Sequence, residues 1–286
     1  MKKNHLKYDI KLFLIFLLSS IILMLHSFYY LPFLSDDALI SLQYAKRFLQ
    51  GKGLTWTDGM PVEGYTNFLW ILLISFFGLF KIDLILITRF LGIFLNLCVL
   101  FILVKTAKKL SKRNHINYFS IIITTLLYSF SGIIAAWSIG GLEQPLLNFL
   151  FAISVYYFID LFYKKNITLN EILKPGTFLG LMCLARPDSF LFVLCFAFVF
   201  LIKKADKNDV ILMFVFLLPA IVMLAGQMTF RIIYYKDLIP NPAYIKLGLN
   251  KMYLNYGIKY VIKAFNSIIP AVFFIFFIFF IKEKKI

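Results

Sequence analysis

The sequence predicts an all-α fold, a polytopic transmembrane helical bundle of about eight spans with interfacial helices in its first outer loop. Apolar residues make up 61% of the 286-residue chain, and the mean hydropathy is +0.85. Soluble domains contain roughly 45–50% apolar residues, and a helix needs roughly 20 of them to cross a bilayer. Lysine clusters separate the apolar runs. The net charge of +16 therefore fits the positive-inside rule better than a nucleic-acid-binding surface.

The first predicted span covers residues 12–31 and follows a basic N-terminal segment. This apolar run is too long for the hydrophobic part of a signal peptide, and no cleavage site with small residues follows it. We therefore expect an uncleaved span in a multi-pass protein of the cytoplasmic (inner) membrane. Both termini are expected in the cytoplasm.

A polar segment, residues 35–70, follows the first span. Within it, residues 36–50 have helical spacing and predict an amphipathic helix that lies in the membrane interface, with Arg47 on its polar face. The apolar stripe of this helix consists of Ala38, Leu42, Ala45 and Leu49. Residues 66–80 then form an apolar run of only about 22 Å if helical, which is short of the roughly 30 Å hydrocarbon core. We expect a partly embedded helix that returns to the outer side, because a full span would place the lysines of 105–115 outside.

The later apolar runs predict the remaining spans. Residues 176–202 are expected to be two short helices that meet at Arg186-Pro187-Asp188, after a cytoplasmic stretch that ends at Pro175. The whole chain, 1–286, is expected to form one membrane domain with a catalytic outer loop at 32–83. The other spans are predicted at 84–104, 117–137, 142–163, 210–232 and 265–281.

Two adjacent carboxylates, Asp36 and Asp37, open the amphipathic helix. They have a structural interpretation, in which Ser35 caps the helix and the acidic residues complement the helix dipole. They also have a catalytic one, in which one carboxylate accepts a proton from an attacking hydroxyl and the other positions it. A divalent cation shared by the two is the one cofactor that these residues would suit. The scattered cysteines and histidines predict no metal site of their own.

Three arginines, Arg89, Arg186 and Arg231, lie toward the predicted outer face. The planar guanidinium group suits phosphate, whereas the alternative is a side chain that reaches the lipid headgroups. That alternative is preferred for Arg231. Arg186 lies beside Pro187 and Asp188, where a structured site is favoured, although a simple Arg186–Asp188 pair remains open.

Two further regions carry polar groups on the same predicted side. Glu143 lies at the start of the span at 142–163 and is either an anion at the helix N-terminus or part of a polar cleft wall. The loop 233–250 combines prolines with Tyr244 and Lys246. We expect it to act as a lid or as an acceptor surface.

The order of these motifs resembles the GT-C superfamily of integral membrane glycosyltransferases. The resemblance is strongest to the branch that contains the mycobacterial terminal arabinofuranosyltransferase, and it covers about residues 31–248. The motifs that carry it are Asp36-Asp37 with SLQYAKRF, then GKGL, VEGYTNFLW, GLEQPL, LARPDSF and RIIYYKDLIPNPAYIK.

This resemblance implies a chemistry and a set of residues. A polyprenyl-phosphate-linked sugar would donate to a hydroxyl of a glycan or glycoconjugate acceptor at the outer membrane face. Asp36 or Asp37 would be the general base, with Asp36 preferred because it lies nearer the span. Arg186 would contact the donor phosphate. Further binding residues would be Glu63, Tyr65, Arg89, Glu143, Asp188, Tyr244 and Lys246.

Two other functions stay open at this stage. One is a transporter or flippase of a lipid-linked sugar, although transporters tend to place ionisable residues near the midplane of repeated, broken helices. The other is a truncated, non-catalytic relative that binds the lipid donor or a protein partner, since family members continue beyond the position of Ile286.

Overall fold

The structure, a computed structural model, describes residues 2–114, 118–164, 166–203, 207–246, 254–264 and 266. Regular secondary structure in these residues is entirely helical, which confirms the all-α prediction. The chain divides into two compact units, Met1–Pro240 and Asn241–Ile286. The second unit contains the short helix α11, Asn241–Lys246, and the helical residues 254–264. The last predicted span, 265–281, lies outside the described residues apart from residue 266.

Four helices of the first unit are long and apolar enough to cross a membrane. A fifth span is formed if α5 (Tyr118–Ser129) and α6 (Gly132–Ile139) count as one, although they meet at a bend of 51°. The chain is thus a multi-pass membrane protein with four or five candidate spans among the described residues. The long helices are α1 (Lys2–Tyr29), α4 (Leu84–Asn114), α7 (Gln144–Tyr163) and α10 (Lys207–Tyr235).

The shorter helices account for part of the difference from the eight predicted spans. The pair predicted at 176–202 is present, but both helices fall below the length of a span. The α3 helix has 11 residues and rises only about 16 Å, in keeping with a partly embedded helix. These helices are α2 (Asp36–Leu49), α3 (Phe68–Gly78), α8 (Leu169–Ala185) and α9 (Phe190–Lys203), with a 3₁₀ turn at Pro187–Ser189.

Two predicted helix boundaries are wrong. The span predicted at 117–137 breaks at Phe130, because the Ser131 hydroxyl accepts a hydrogen bond from Ile134 N at 3.5 Å and starts a new helix. The α8 helix begins at Leu169 and continues through Pro175. Its N-terminus is closed by a capping box of Thr168 and Glu171, so the proline falls inside the second turn instead of ending a loop.

Close helix packing centres on α8, which contacts α7 and α10. Gly176 allows this approach, since a Cβ atom there would lie 2.4 Å from the backbone oxygen of Phe216 in α10. The packing holds the C-terminal end of α8, and with it Arg186, against the rest of the bundle.

Polar contacts define two opposite ends of the first unit. Arg89, near the start of α4, donates a hydrogen bond to Leu31 O after α1, whereas Lys108, near the end of α4, pairs with Asp9 near the start of α1. We call the end that contains the Arg89–Leu31 contact the polar end. The N-termini of α2, α3 and α7 and the break between α8 and α9 also lie there. We call the second the lysine end, and Lys109 pairs with Asp160 there.

Candidate active site at the polar end

The turn at Gly140-Gly141 holds the start of α2 in place. Ser35 N donates to Gly140 O at 3.0 Å, and the Trp70 indole donates to Gly141 O at 3.0 Å. Gly141 has a φ of +88°, and a Cβ atom there would lie 2.8 Å from Ala38 Cβ. Only glycine therefore allows this turn to lie directly against α2. The first turn of α2, which carries the acid pair, is positioned by the segment that leads into α7.

Asp36 and Asp37 are both exposed to solvent. Asp36 Oδ1 accepts a hydrogen bond from Asp37 N at 2.9 Å, and no hydrogen bond or ion pair of the Asp37 side chain occurs within the described residues. Ser35 occupies the N-cap position, but its hydroxyl makes no capping bond. Ser35 thus has the N-cap position of the structural interpretation but not its capping hydrogen bond. The acidic residues still complement the helix dipole, and their carboxylates remain open to water.

A buried polar network connects α2, α3 and α7 beside this turn. Asn67 Nδ2 donates to Glu143 Oε2 and to Ser41 Oγ, both at 2.9 Å. Glu143 is only 4% exposed and Asn67 only 5%. Neither Ser41 nor Asn67 was among the residues predicted from sequence. Asn67 occupies the N-cap position of α3, and an asparagine just before an apolar run is the one local signal that marked it.

Arg186 connects this network to the solvent. Its side chain is 38% exposed, and its Nη1 lies 3.4 Å from Glu143 Oε1. Its Nε and Nη2 donate to the two oxygens of Asp188, each at 3.1 Å. The predicted Arg186–Asp188 pair is thus present, and Arg186 also contacts the buried network through Glu143. Glu143 makes no capping bond to α7, so its carboxylate serves Asn67 and Arg186 instead.

Arg89 lies at the same end but has different partners. Its Nη2 donates to Leu31 O at 2.9 Å, and its buried Nε has no hydrogen-bond partner among the described residues. No described contact joins it to Glu143 or Arg186. The structure therefore places Arg89 beside the α1–α2 turn and not in the network.

A second cluster fastens the polar loop 50–67 to α10. Glu63 and Arg231 are 5% and 7% exposed and form a two-pronged ion pair, and Arg231 Nη1 also donates to Leu238 O at 3.3 Å. Burial raises the pKa of the Glu63 carboxyl, and the hydrogen bonds from Arg231 offset part of that rise. The prediction that Arg231 reaches toward lipid headgroups is wrong. Its guanidinium group instead pairs with the buried carboxylate of Glu63. We call this pair the loop latch.

Hydrogen bonds of three tyrosines also hold this loop against α2 and α10. Tyr65, 3% exposed, makes a 3.0 Å hydrogen bond with the hydroxyl of Tyr235, which in turn donates to Leu54 O at 2.7 Å. Tyr44 donates to Val62 O at 2.6 Å and accepts from Gly64 N at 2.9 Å. Burial raises the pKa of Tyr65 well above its ordinary value. Glu63 and Tyr65, expected to line a substrate pocket, are thus enclosed in contacts within the protein.

The predicted polar face of α2 is wrong at Arg47. It is buried, and its Nε donates to Thr55 Oγ1 at 2.9 Å while its Nη2 donates to Asp58 Oδ1 at 2.6 Å. The polar loop thus packs on the side of α2 that the sequence pattern assigns to water. Loop packing of this kind makes a charged residue part of the interior.

The last two predicted site residues, Tyr244 and Lys246, lie in α11 of the second unit. A shared divalent cation at Asp36 and Asp37 is not tested by the structure. Among the described residues no group of three or more His, Cys, Asp or Glu side chains is placed to hold a metal ion.

No protein-family model, curated protein or solved structure matches this chain. The likeness to GT-C enzymes therefore depends on the motifs of the sequence. Several of these motifs meet at the polar end: the acid pair, the asparagine of VEGYTNFLW, the glutamate of GLEQPL and the arginine of LARPDSF.

Proposed function

We propose that the protein is a membrane glycosyltransferase of GT-C type, which moves a sugar from a polyprenyl-phosphate donor to a hydroxyl acceptor at the outer face of the cytoplasmic membrane. The observation that supports this most directly is the contact chain Ser41–Asn67–Glu143–Arg186. It positions a half-exposed arginine at the same end of an apolar bundle as two water-accessible carboxylates.

Arg186 suits the phosphate of such a donor. A guanidinium group binds phosphate through paired N–H groups and stabilises the negative charge of a leaving phosphate. Asp188 is 63% exposed and holds two of these N–H groups through solvent-screened contacts, so an incoming phosphate can replace it. Glu143 keeps the side chain in place from the buried side.

The acid pair supplies the base. The acceptor oxygen forms a bond to the anomeric carbon of the sugar, the bond from that carbon to the phosphate oxygen breaks, and the hydroxyl proton passes to an aspartate. Asp37 suits this role better than Asp36, which the sequence resemblance favours. Asp37 precedes Ser41 by four residues and therefore lies on the same face of α2, one turn from the polar network. Asp36 already accepts a backbone N–H.

Separate Asp36→Asn and Asp37→Asn substitutions test this proposal in the purified protein. Transfer of labelled sugar from polyprenyl-phosphate donors to candidate acceptors is the measurement. Loss of the general base is expected to slow transfer by about 100- to 10,000-fold, with the larger loss in Asp37→Asn. Asp58→Asn is the matched control, because Asp58 is an exposed carboxylate of the same polar segment, and it should keep the parental rate.

The proposal fails if both variants fold and retain near-parental transfer. Movement of the labelled lipid across the membrane without a glycosidic product would instead indicate a transporter or flippase. Donor binding without either reaction in the parent protein would indicate a non-catalytic relative.

A further inference from the structure

A groove of about 300 Å³ lies between α1 and α4 at the lysine end. Its walls are apolar and its floor is buried, since Leu12 and Val104 are 4% and 7% exposed. Its rim faces outward from two candidate spans, with Phe13 60% exposed. The remaining apolar lining is Phe16 and Phe101.

Charge lies at one end of this groove. Lys105 is exposed and its ammonium lies 5.1 Å from the centre of the Phe101 ring, and Lys108 pairs with Asp9. In α4 these lysines follow Arg89 by 16 and 19 residues, or roughly 24–29 Å of helix. The groove is therefore about one hydrocarbon thickness from the polar end, and its lysines lie near the headgroup level of the opposite leaflet.

We propose that this groove is a binding site for one anionic phospholipid. An acyl chain would lie along Leu12, Phe16 and Val104, and the headgroup phosphate would meet Lys105. The volume is at the lower end of the range for small-molecule sites, in keeping with one chain segment. The cationic rim is complementary to an acidic headgroup, since exposed Lys105 lies there beside the Lys108–Asp9 pair. The site is separate from the proposed transferase centre.

Native mass spectrometry of the full chain in a neutral detergent tests this site. The probes are dioctanoyl phosphatidylglycerol and dioctanoyl phosphatidylcholine, which share acyl chains and differ in net charge. Phosphatidylglycerol is expected to bind more tightly, and Lys105→Gln should weaken it about fivefold, the effect of one lysine near an anionic lipid surface. Phosphatidylcholine binding should not change, and Lys105→Arg should retain the preference.

Two controls locate the effect. Lys46→Gln removes one exposed positive charge from α2, outside the groove, and should leave both affinities unchanged. Phe13→Ser removes an apolar wall and should weaken both lipids. Equal binding of the two lipids by the parent protein would overturn the proposal, as would a preference that survives Lys105→Gln or is lost equally in Lys46→Gln. Tighter binding of undecaprenyl phosphate at the same residues would assign the groove to a polyprenyl lipid instead, and loss of lipid binding in a protein dimer would assign it to a second copy.

Discussion

Replacing Arg231 with methionine would break the loop latch while keeping a side chain of similar length. The Glu63 carboxylate, 5% exposed, would then be left buried without its two-pronged partner. Removing one member of a buried pair typically costs about 3–5 kcal/mol, because the remaining charge has lost its water and its partner. We expect a loss of this size in the free energy of unfolding of Arg231→Met at neutral pH.

The double variant Glu63→Met/Arg231→Met separates the cost of the orphaned charge from that of lost packing. Replacing a whole buried pair by apolar residues is often neutral or stabilising. The double variant should therefore recover most of the loss, so its free energy of unfolding should exceed that of Arg231→Met by about 3 kcal/mol. Lys52→Met, which removes an exposed partner 3.6 Å from Asp58, is the matched control and should change the free energy of unfolding little.

Equilibrium unfolding by dodecyl sulfate in mixed micelles, followed by circular dichroism at several pH values, is the assay. The pKa of Glu63 is raised in the folded protein, so the folded state favours the protonated carboxyl. The stabilisation that this protonation gives is present in full at a pH below the pKa of Glu63 in the unfolded chain. It is lost as the pH rises through the pKa of Glu63 in the folded protein. Without Arg231 the pKa of Glu63 rises further, so acid neutralises the orphaned carboxylate more readily. The loss in free energy of unfolding caused by Arg231→Met should therefore be smaller at acidic pH than at neutral pH.

Three results would contradict this reasoning. One is an Arg231→Met protein as stable as its parent, and another is a double variant less stable than either single variant. The third is a Glu63→Gln protein of unchanged stability that has lost donor binding. That last outcome would restore Glu63 to the predicted substrate pocket.

Three further predictions concern the polar end and its orientation. Gly141→Ala should cost about 1–3 kcal/mol or more in the free energy of unfolding, because the residue has a positive φ and contacts α2, whereas Gly226→Ala, with open space around it, should cost nothing measurable. In a cysteine-free background, a membrane-impermeant thiol reagent added to intact cells should modify Gly59→Cys but not Leu110→Cys. The reverse labelling pattern would show that the predicted orientation in the membrane is wrong. Arg186→Lys keeps the charge but loses the planar fork, so the dissociation constant for a polyprenyl-phosphate sugar should rise appreciably; an unchanged value in folded Arg186→Ala would reassign Arg186 to a structural pair with Asp188.

Local patterns predicted several elements closely. The amphipathic helix expected at 36–50 is α2, Asp36–Leu49, and the span expected at 142–163 contains α7, Gln144–Tyr163. The break at Arg186-Pro187-Asp188 also appears where it was expected. These features depend on apolar spacing and on proline, which act within one or two helical turns.

Partners across the chain were not predictable in the same way. Asn67 and Glu143 are 76 residues apart, and Glu63 and Arg231 are 168 apart, so no spacing in the sequence marks either contact. Arg47 shows the same limit, because only the loop that folds over it makes it an interior residue.

The sequence by itself determined an all-helical, multi-pass membrane protein, the polar segment and the acid pair that opens α2. These properties depend on hydrophobicity and on short-range backbone preferences, which a single segment carries with it. Only the tertiary structure decided which charges are paired and which remain available. Glu63 and Arg231 neutralise each other in the interior, whereas Arg186 is held by Glu143 yet stays half exposed. Burial and charge pairing depend on what packs against a residue, and that is a property of the assembled fold.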